Sequence, residues 1–559
     1  MVGKGRDRKI SLPAGRPGNL SLLILIAISI LIFIPLVMFI VQLFRSNFAY
    51  QWLVAILATM AAWSFVLFSR VKAAQIIQLP RWQPETLFSA SPELLADSTS
   101  WIYAISLITL CLAVLLTAVV RRSQVDWRSW AGMLILTGFG LLAVMAGNPL
   151  TLMLSWAAID LLEAWILFSW IRRSEVRTRF LIALSTRVLG IGFLIWAEIV
   201  ARAGGDVLSF TFVPSGASIY LLLAAGLRLG VLPMQTPFLQ DHPDRRGLGT
   251  LLRFIPAAAS LVLLARASGA QISFDIAPFL LVLAGLSGIY SAVSWLVASS
   301  ELVGRPFWIL GMASLAVAAA VRQQPAACIA WGVACILSGG ALFLYSVRPK
   351  GLVPVFLVGG LALTAFPYTP TWSGLAVYSL GSSTAAPYFD SVINLVLLLT
   401  HLALVLGYIR HALRRIEVPS GLERWVWVFY PFGLAGLILL EYYLGWQVWM
   451  EWKEGPGVLW WVGGIVLVLS AAVWSLLRRS ERFGTLLRFS KSKPTWGTTV
   501  WGRLLSLKWF YQLIWVIYHL FSRMIAWFTT ILEGEGGILW ALVFLFLLFS
   551  LSLQGGFSR

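Results

Sequence analysis

The sequence predicts an all-α polytopic membrane protein of about 14–16 transmembrane helices, and three observations carry that prediction. Of 559 residues, 59% are hydrophobic and only 12% charged, with a mean hydropathy of +0.85; soluble domains run near ~25% charged. The apolar residues fall into runs close to the ~20 residues that a helix needs to cross a bilayer. Lys and Arg gather at every second run end, the pattern expected of cytoplasmic loops. The 28 Trp and 33 Phe exclude a disordered or low-complexity chain.

Sixteen runs qualify: 20–44, 50–69, 101–120, 129–147, 150–171, 180–201, 216–237, 248–267, 276–299, 306–321, 325–347, 352–372, 386–409, 425–445, 457–477 and 536–554. The first follows a basic tail (Lys4, Arg6, Arg8, Lys9, Arg16) and is longer than the apolar core of a signal peptide, so it reads as a retained span. Between the second and third runs, the segment 70–100 is polar and holds Pro80, Pro84 and Pro92. It reads as an extracytoplasmic loop or hairpin.

From the third span on, sixteen Lys or Arg follow odd-numbered spans, against four after even-numbered ones: Arg202, Arg266, Arg322 and Lys453. Odd-span exits are therefore expected in the cytoplasm, and the protein in the plasma (inner) membrane. Strict alternation then puts the basic N-terminal tail outside. The formal charge of +19 is read as topology, with no nucleic acid as partner.

The stretch 478–535 interleaves Arg488, Lys491, Arg503 and Lys508 with Trp501, Trp509, Tyr511 and Trp515. That mixture predicts an amphipathic helix lying along the membrane interface. The chain thus divides into N-terminal spans and loop (1–100), a helical core (101–410), additional spans (411–477), and a basic segment plus last span (478–559). The three Cys sit in apolar runs without metal-ligand spacing, and the four His are not clustered. No metal, cofactor or catalytic residue is expected, and no nucleophile–base pair or phosphate loop supports an enzyme.

Charged groups at membrane depth cost at least ~2.5 kcal/mol each and persist when they face the bundle interior or water. The fifth span holds Asp160 and Glu163, three apart and on one helical face. The sixth holds Arg187 and Glu198, the seventh Arg228, the eighth Arg253, and the thirteenth Asp390 and His401. Acids of the fifth span facing bases of the sixth to eighth would form a buried polar line. On the residues alone, such a line is either a proton relay or a set of neutralising pairs that pins the packing.

The seventh span carries Pro233 and Pro237, the twelfth Pro367 and Pro370. Proline removes a donor and clashes with the preceding turn, so both helices should break and free carbonyls that need a cavity or a partner. Interrupted spans five apart are the sequence pointer to inverted-repeat transporters.

At these residues the chain resembles the antiporter-like membrane subunits of NADH:quinone oxidoreductase (respiratory complex I), of membrane hydrogenases and of multisubunit cation/proton antiporters. Gly226-Leu227-Arg228, Leu232-Pro233, Gln235-Thr236 and Leu264-Ala265-Arg266 follow the family's order. So do Asp97 before the third span, Thr186-Arg187-Val188 in the sixth, and Glu301-Leu302 with Arg305 and Ser314 around the tenth. The resemblance covers roughly 90–375. The C-terminal basic segment is similar to extensions that brace neighbouring subunits in some members.

The resemblance implies a proton-translocating subunit with other membrane subunits as partners, the bilayer around it, and H+ or Na+ as the ion. The family's pumping Lys falls on Arg228 and its connecting base on Arg253. Three positions depart from the pattern: Ala157 follows Trp156 where the family has Glu, Arg228 replaces Lys, and Tyr378 stands at the family's Lys or Glu of the twelfth span. Arg does not release a proton in proteins. Asp160 or Glu163 would then carry the proton, with the Arg side chains as fixed gating charges. The alternative is a degenerate, non-conducting paralogue that scaffolds such a complex; an unrelated transporter is a third reading.

Overall fold

A computed structural model describes residues 19–45, 50–70, 74–78, 91–120, 126–168, 174–235, 246–270, 276–379, 387–414, 424–451 and 459–479, with short pieces between 512 and 550. The chain divides into two compact units, Met1–Lys493 and Pro494–Arg559. The expected interfacial helix over 478–535, the last span 536–554 and Pro237 lie largely or wholly outside the described residues.

The first unit opens with α1 (Asn19–Phe44) and α2 (Gln51–Phe68). The polar segment that follows folds as a hairpin, β1 (Gln75–Gln78) against β2 (Glu93–Ala96), with Gln75 opposite Ala96 and Gln78 opposite Glu93. Then come α3 (Ser98–Thr117), α4 (Trp127–Val144), α5 (Pro149–Phe168), α6 (Ser174–Ala203), α7 (Ser215–Leu229), α8 (Arg246–Ala267) and α9 (Ala277–Val297). The unit ends with α10 (Glu301–Val321), α11 (Pro325–Leu344), α12 (Val353–Ala362), α13 (Pro387–Ala412), α14 (Val426–Glu451) and α15 (Trp460–Arg479).

These fifteen helices occupy the first fifteen predicted spans. Twelve are long and apolar enough to cross a membrane; the shorter apolar stretches are those of α7, α12 and α15. The tenth starts five residues before its apolar run, because Ser300 caps it by accepting from Val303 N at 3.3 Å. Asp97 caps α3 through a reciprocal pair with Ser100.

α3, α8, α10 and α11 are buried on nearly every face and form the centre. α8 packs against α3, α4, α7, α10 and α11. Cys111, Cys328 and Cys335 are small core residues. Large apolar side chains such as Phe33, Trp165, Trp196, Phe279 and Phe432 point outward, the perimeter a lipid phase accepts.

Both predicted breaks are present. α7 ends at Leu229, four residues before Pro233, where the proline ring would strike the carbonyl of residue i−4. Gly230 turns the chain with φ +78, and the Leu232–Pro233 bond is cis. The returning chain lies so close to α7 that a Cβ on Gly226 would stand 2.7 Å from Leu232. α12 likewise ends at Ala362, just before the residue four ahead of Pro367. A run of turns and a 3-10 helix, Trp372–Tyr378, follow it.

The cations at odd-span exits brace the helix ends there. Glu301 pairs with Arg246 at 2.9 Å and Arg348 at 3.0 Å. Arg246 also donates to Phe343 O, and Arg348 to His411 O and Arg414 O, each at 2.7 Å. Arg410 donates to Leu296 O in the last turn of α9, and Arg414 to Ser299 O just beyond it. Phe343 O, His411 O and Leu296 O are last-turn carbonyls, which a helix leaves unpaired.

Candidate functional site

Asp160 and Glu163 stand on the inner face of α5. α6 brings Arg187 against both, and the last turn of α7 brings Arg228, one residue from its end. Arg228 grips Asp160 as a fork, Nη1 to Oδ2 at 2.7 Å and Nη2 to Oδ1 at 2.9 Å. Arg187 Nη1 reaches Asp160 Oδ1 at 3.3 Å and Glu163 Oε2 at 2.5 Å, and its Nη2 reaches Glu163 Oε1 at 3.4 Å. All four carboxylate oxygens accept from a guanidinium. The side chains of Arg228, Glu163, Asp160 and Arg187 are 1%, 2%, 6% and 12% exposed.

Two acids and two bases make the quartet neutral, the condition under which buried charges are tolerated. The Arg228 guanidinium also lies 4.3 Å over the Trp156 ring. Gly190 of α6 makes this approach possible: a Cβ there would stand 3.0 Å from Arg228 Cγ.

Beside the quartet is a cavity of about 110 Å³ lined by Thr186, Arg187, Arg228, Gln235 and Arg253, among others. Gln235, just past the break, donates to Leu227 O at 2.8 Å and is bonded to Thr186 at 3.1 Å. One freed carbonyl of α7 thus meets a side chain of the segment that freed it. Arg253 enters the same cavity from α8. The broken seventh helix therefore gathers the five charged residues picked from the sequence around one spot. Glu198 is elsewhere, paired with Arg202 at 2.7 Å along α6.

The second break has neutral polar chemistry. His401 Nε2 contacts Leu363 O at 2.7 Å, and its Nδ1 contacts Tyr378 Oη at 3.0 Å. A carbonyl only accepts, so Nε2 carries the hydrogen and the phenol donates to Nδ1. Thr371 closes the rest, donating to Ala362 O at 2.6 Å and accepting from Ala365 N at 3.0 Å. Nearby, Arg322 bonds Asn394 Oδ1 at 2.5 Å and pairs with Asp390 at 3.7 Å. Pro370 packs close to α14, where a Cβ on Gly445 would meet it.

Other residues of the resemblance also come together. Arg266 joins Asp97 at 3.5 Å and donates to Ala146 O. Arg305 donates to Thr250 Oγ1 at 2.6 Å. The sequence reading passed over Glu441, a fully buried acid in α14. Its signal was the same as that of Asp160, an acid inside an apolar run.

No protein-family model matches the chain, and no curated protein matches it in sequence. Solved structures share its fold. A chain of the Mrp complex from a Dietzia species matches with a TM-score of 0.65 at 13% identity, over 97% of this chain and 63% of that one. This chain therefore spans less than two thirds of that relative. A chain of respiratory complex I from Thermus thermophilus matches with a TM-score of 0.53 at 16% identity, over 75% of this chain and 96% of that one. A chain of the membrane-bound sulfane sulfur reductase, an archaeal respiratory membrane complex, gives 0.58 at 13% identity, over 94% and 100%. The resemblance read from the motifs is thus borne out at the level of fold.

Proposed function

We propose that the chain is a membrane subunit of a multisubunit respiratory or antiporter-type complex and translocates protons, or Na+, through a charged axis coupled to a partner module. Its setting is the plasma (inner) membrane, with odd-span exits in the cytoplasm. The observation that carries the reading is Asp160, whose carboxylate is shared by guanidinia from two helices, Arg187 and Arg228, both of which line a cavity beside a helix break. That cavity has room for roughly three or four waters at ~30 Å³ each.

Arg does not titrate, so the carboxylates carry the proton. In the paired state Asp160 is ionised and held by Arg228. A shift of the broken α7 that withdraws the Arg228 fork leaves Asp160 with Arg187 alone, which favours uptake of a proton from the cavity side. Return of the fork expels it. Arg253 sets a fixed positive charge at the cavity wall and repels the released proton from that side.

The scaffolding alternative draws on the same quartet, because every carboxylate oxygen is bonded and the net charge is zero. A charge-balanced variant, Asp160→Asn with Arg228→Gln, separates the two readings. The complex carrying it is purified, its subunit composition checked, and proton uptake followed in proteoliposomes. Translocation through Asp160 predicts normal assembly and loss of uptake. Unchanged uptake in a normally assembled complex would remove these residues from the ion path and leave the bracing role.

A further inference from the structure

We propose that Glu441 is a proton-binding site inside the membrane, held as the unionised acid at neutral pH. Its side chain sits midway along α14 and is 0% exposed. Ser338 of α11 donates to Oε2 at 2.6 Å, and Oε1 has no hydrogen-bond partner among the described residues. The quartet at α5 shows what an ionised acid takes in this protein: a guanidinium on each oxygen. Nothing comparable surrounds Glu441.

Among the described residues, the elements most closely packed against α14 are α3, α11 and α12, with the 3-10 helix Trp372–Tyr378; α13 reaches the carboxyl through Tyr408. α3, α11, α12, the 3-10 helix and α14 itself contain no Lys, Arg or His. Arg70 bonds α14 at Tyr443 and Gln447, and His401, Arg410 and His411 of α13 are bonded to Leu363 O, Leu296 O and Trp295 O, so that among the described residues Glu441 has no ion pair. The ionisable groups that face the carboxyl are phenols, Tyr408 from α13 and the adjacent Tyr442. Gly359 of α12 leaves room for the first: a Cβ there would stand 2.5 Å from the Tyr408 hydroxyl oxygen. An isolated carboxylate in such surroundings takes up a proton instead of remaining charged.

The site has a neighbour towards the second break. Tyr408 lies seven residues after His401, on the same face of α13 and about 10 Å further along. Glu441 thereby stands at the far end of a polar line that begins at Tyr378 and His401, in a part of the chain beyond the motif-matched region.

The test uses the full-length protein in lipid nanodiscs and a membrane-soluble carbodiimide, which attacks unionised carboxyl groups. Peptide mass spectrometry is expected to find the adduct on Glu441 at neutral pH, with loss of the adduct as pH is raised. A parallel infrared difference measurement is expected to show a carboxylic acid carbonyl band that disappears in Glu441→Gln. No adduct on Glu441, together with carboxylate bands only, overturns the proposal. The labelling arm uses the unaltered chain, so it does not depend on a variant folding. Both readouts report equilibrium protonation and are independent of whether the quartet conducts.

Discussion

Removing the charge of Asp160 is expected to destabilise the protein by several kcal/mol, and removing Arg228 with it is expected to restore much of the loss. Asp160→Asn leaves Arg187 and Arg228 facing Glu163 alone, so the neutral quartet becomes a buried +1. Deleting one partner of a buried ion pair costs about 3–5 kcal/mol, because the other charge stays in place without compensation. Both Arg228 contacts to Asp160 are under 3 Å, and Arg228 is only 1% exposed. Burial this deep keeps screening by bulk water small, so most of the penalty applies.

In the double variant with Arg228→Gln the charges balance again. What remains lost is the charge-assisted hydrogen bonding and the contact of Arg228 over Trp156, the latter about 2 kcal/mol when desolvated. A coupling of about 2–3 kcal/mol between the two substitutions is expected, the upper part of the range for residues in direct contact. The assay is unfolding of the detergent-solubilised protein followed by tryptophan fluorescence. Strictly additive effects, or a single Asp160→Asn variant as stable as the parent, would show that the four side chains do not form one buried unit.

Two further perturbations probe other parts of the fold. Tyr378→Phe deletes the donor to His401 Nδ1 and leaves that nitrogen unsatisfied, at a cost of about 1–3 kcal/mol; an unfolding midpoint that does not move would contradict a buried hydrogen bond between the two side chains. In the β-hairpin outside the spans, burial raises the Glu93 carboxyl above its ordinary value of 4.5. A raised acid favours the folded state while protonated, so hairpin protection should be greatest below 4.5 and fall as pH rises through the higher folded value. Amide exchange across that window checks it, and Glu93→Gln should flatten the profile.

Paired and single prolines behave differently here, which explains why the breaks were legible. Pro256 and Pro306 lie inside α8 and α10 without ending them. The chain breaks where a second proline follows within four residues, at Pro233 with Pro237 and at Pro367 with Pro370. Ala365 and Tyr368 adopt positive φ in the second break, a conformation costing non-glycine residues roughly 1–2 kcal/mol each. Thr371 and His401 supply the hydrogen bonds that hold it there.

By itself the sequence determined which segments are helices, where two of them break, and that Asp160 and Glu163 share a face. Those properties depend on local hydrophobicity, proline sterics and the helical repeat, all read within one segment. Tertiary structure alone decided the pairings. That Arg228 forks Asp160 while Arg187 bridges both acids depends on how α5, α6 and α7 approach one another, and no spacing along the chain encodes it. The same holds for Glu441: its span announced a buried acid, but only the packing around α14 revealed that its carboxyl meets a serine and phenols and, among the described residues, no guanidinium.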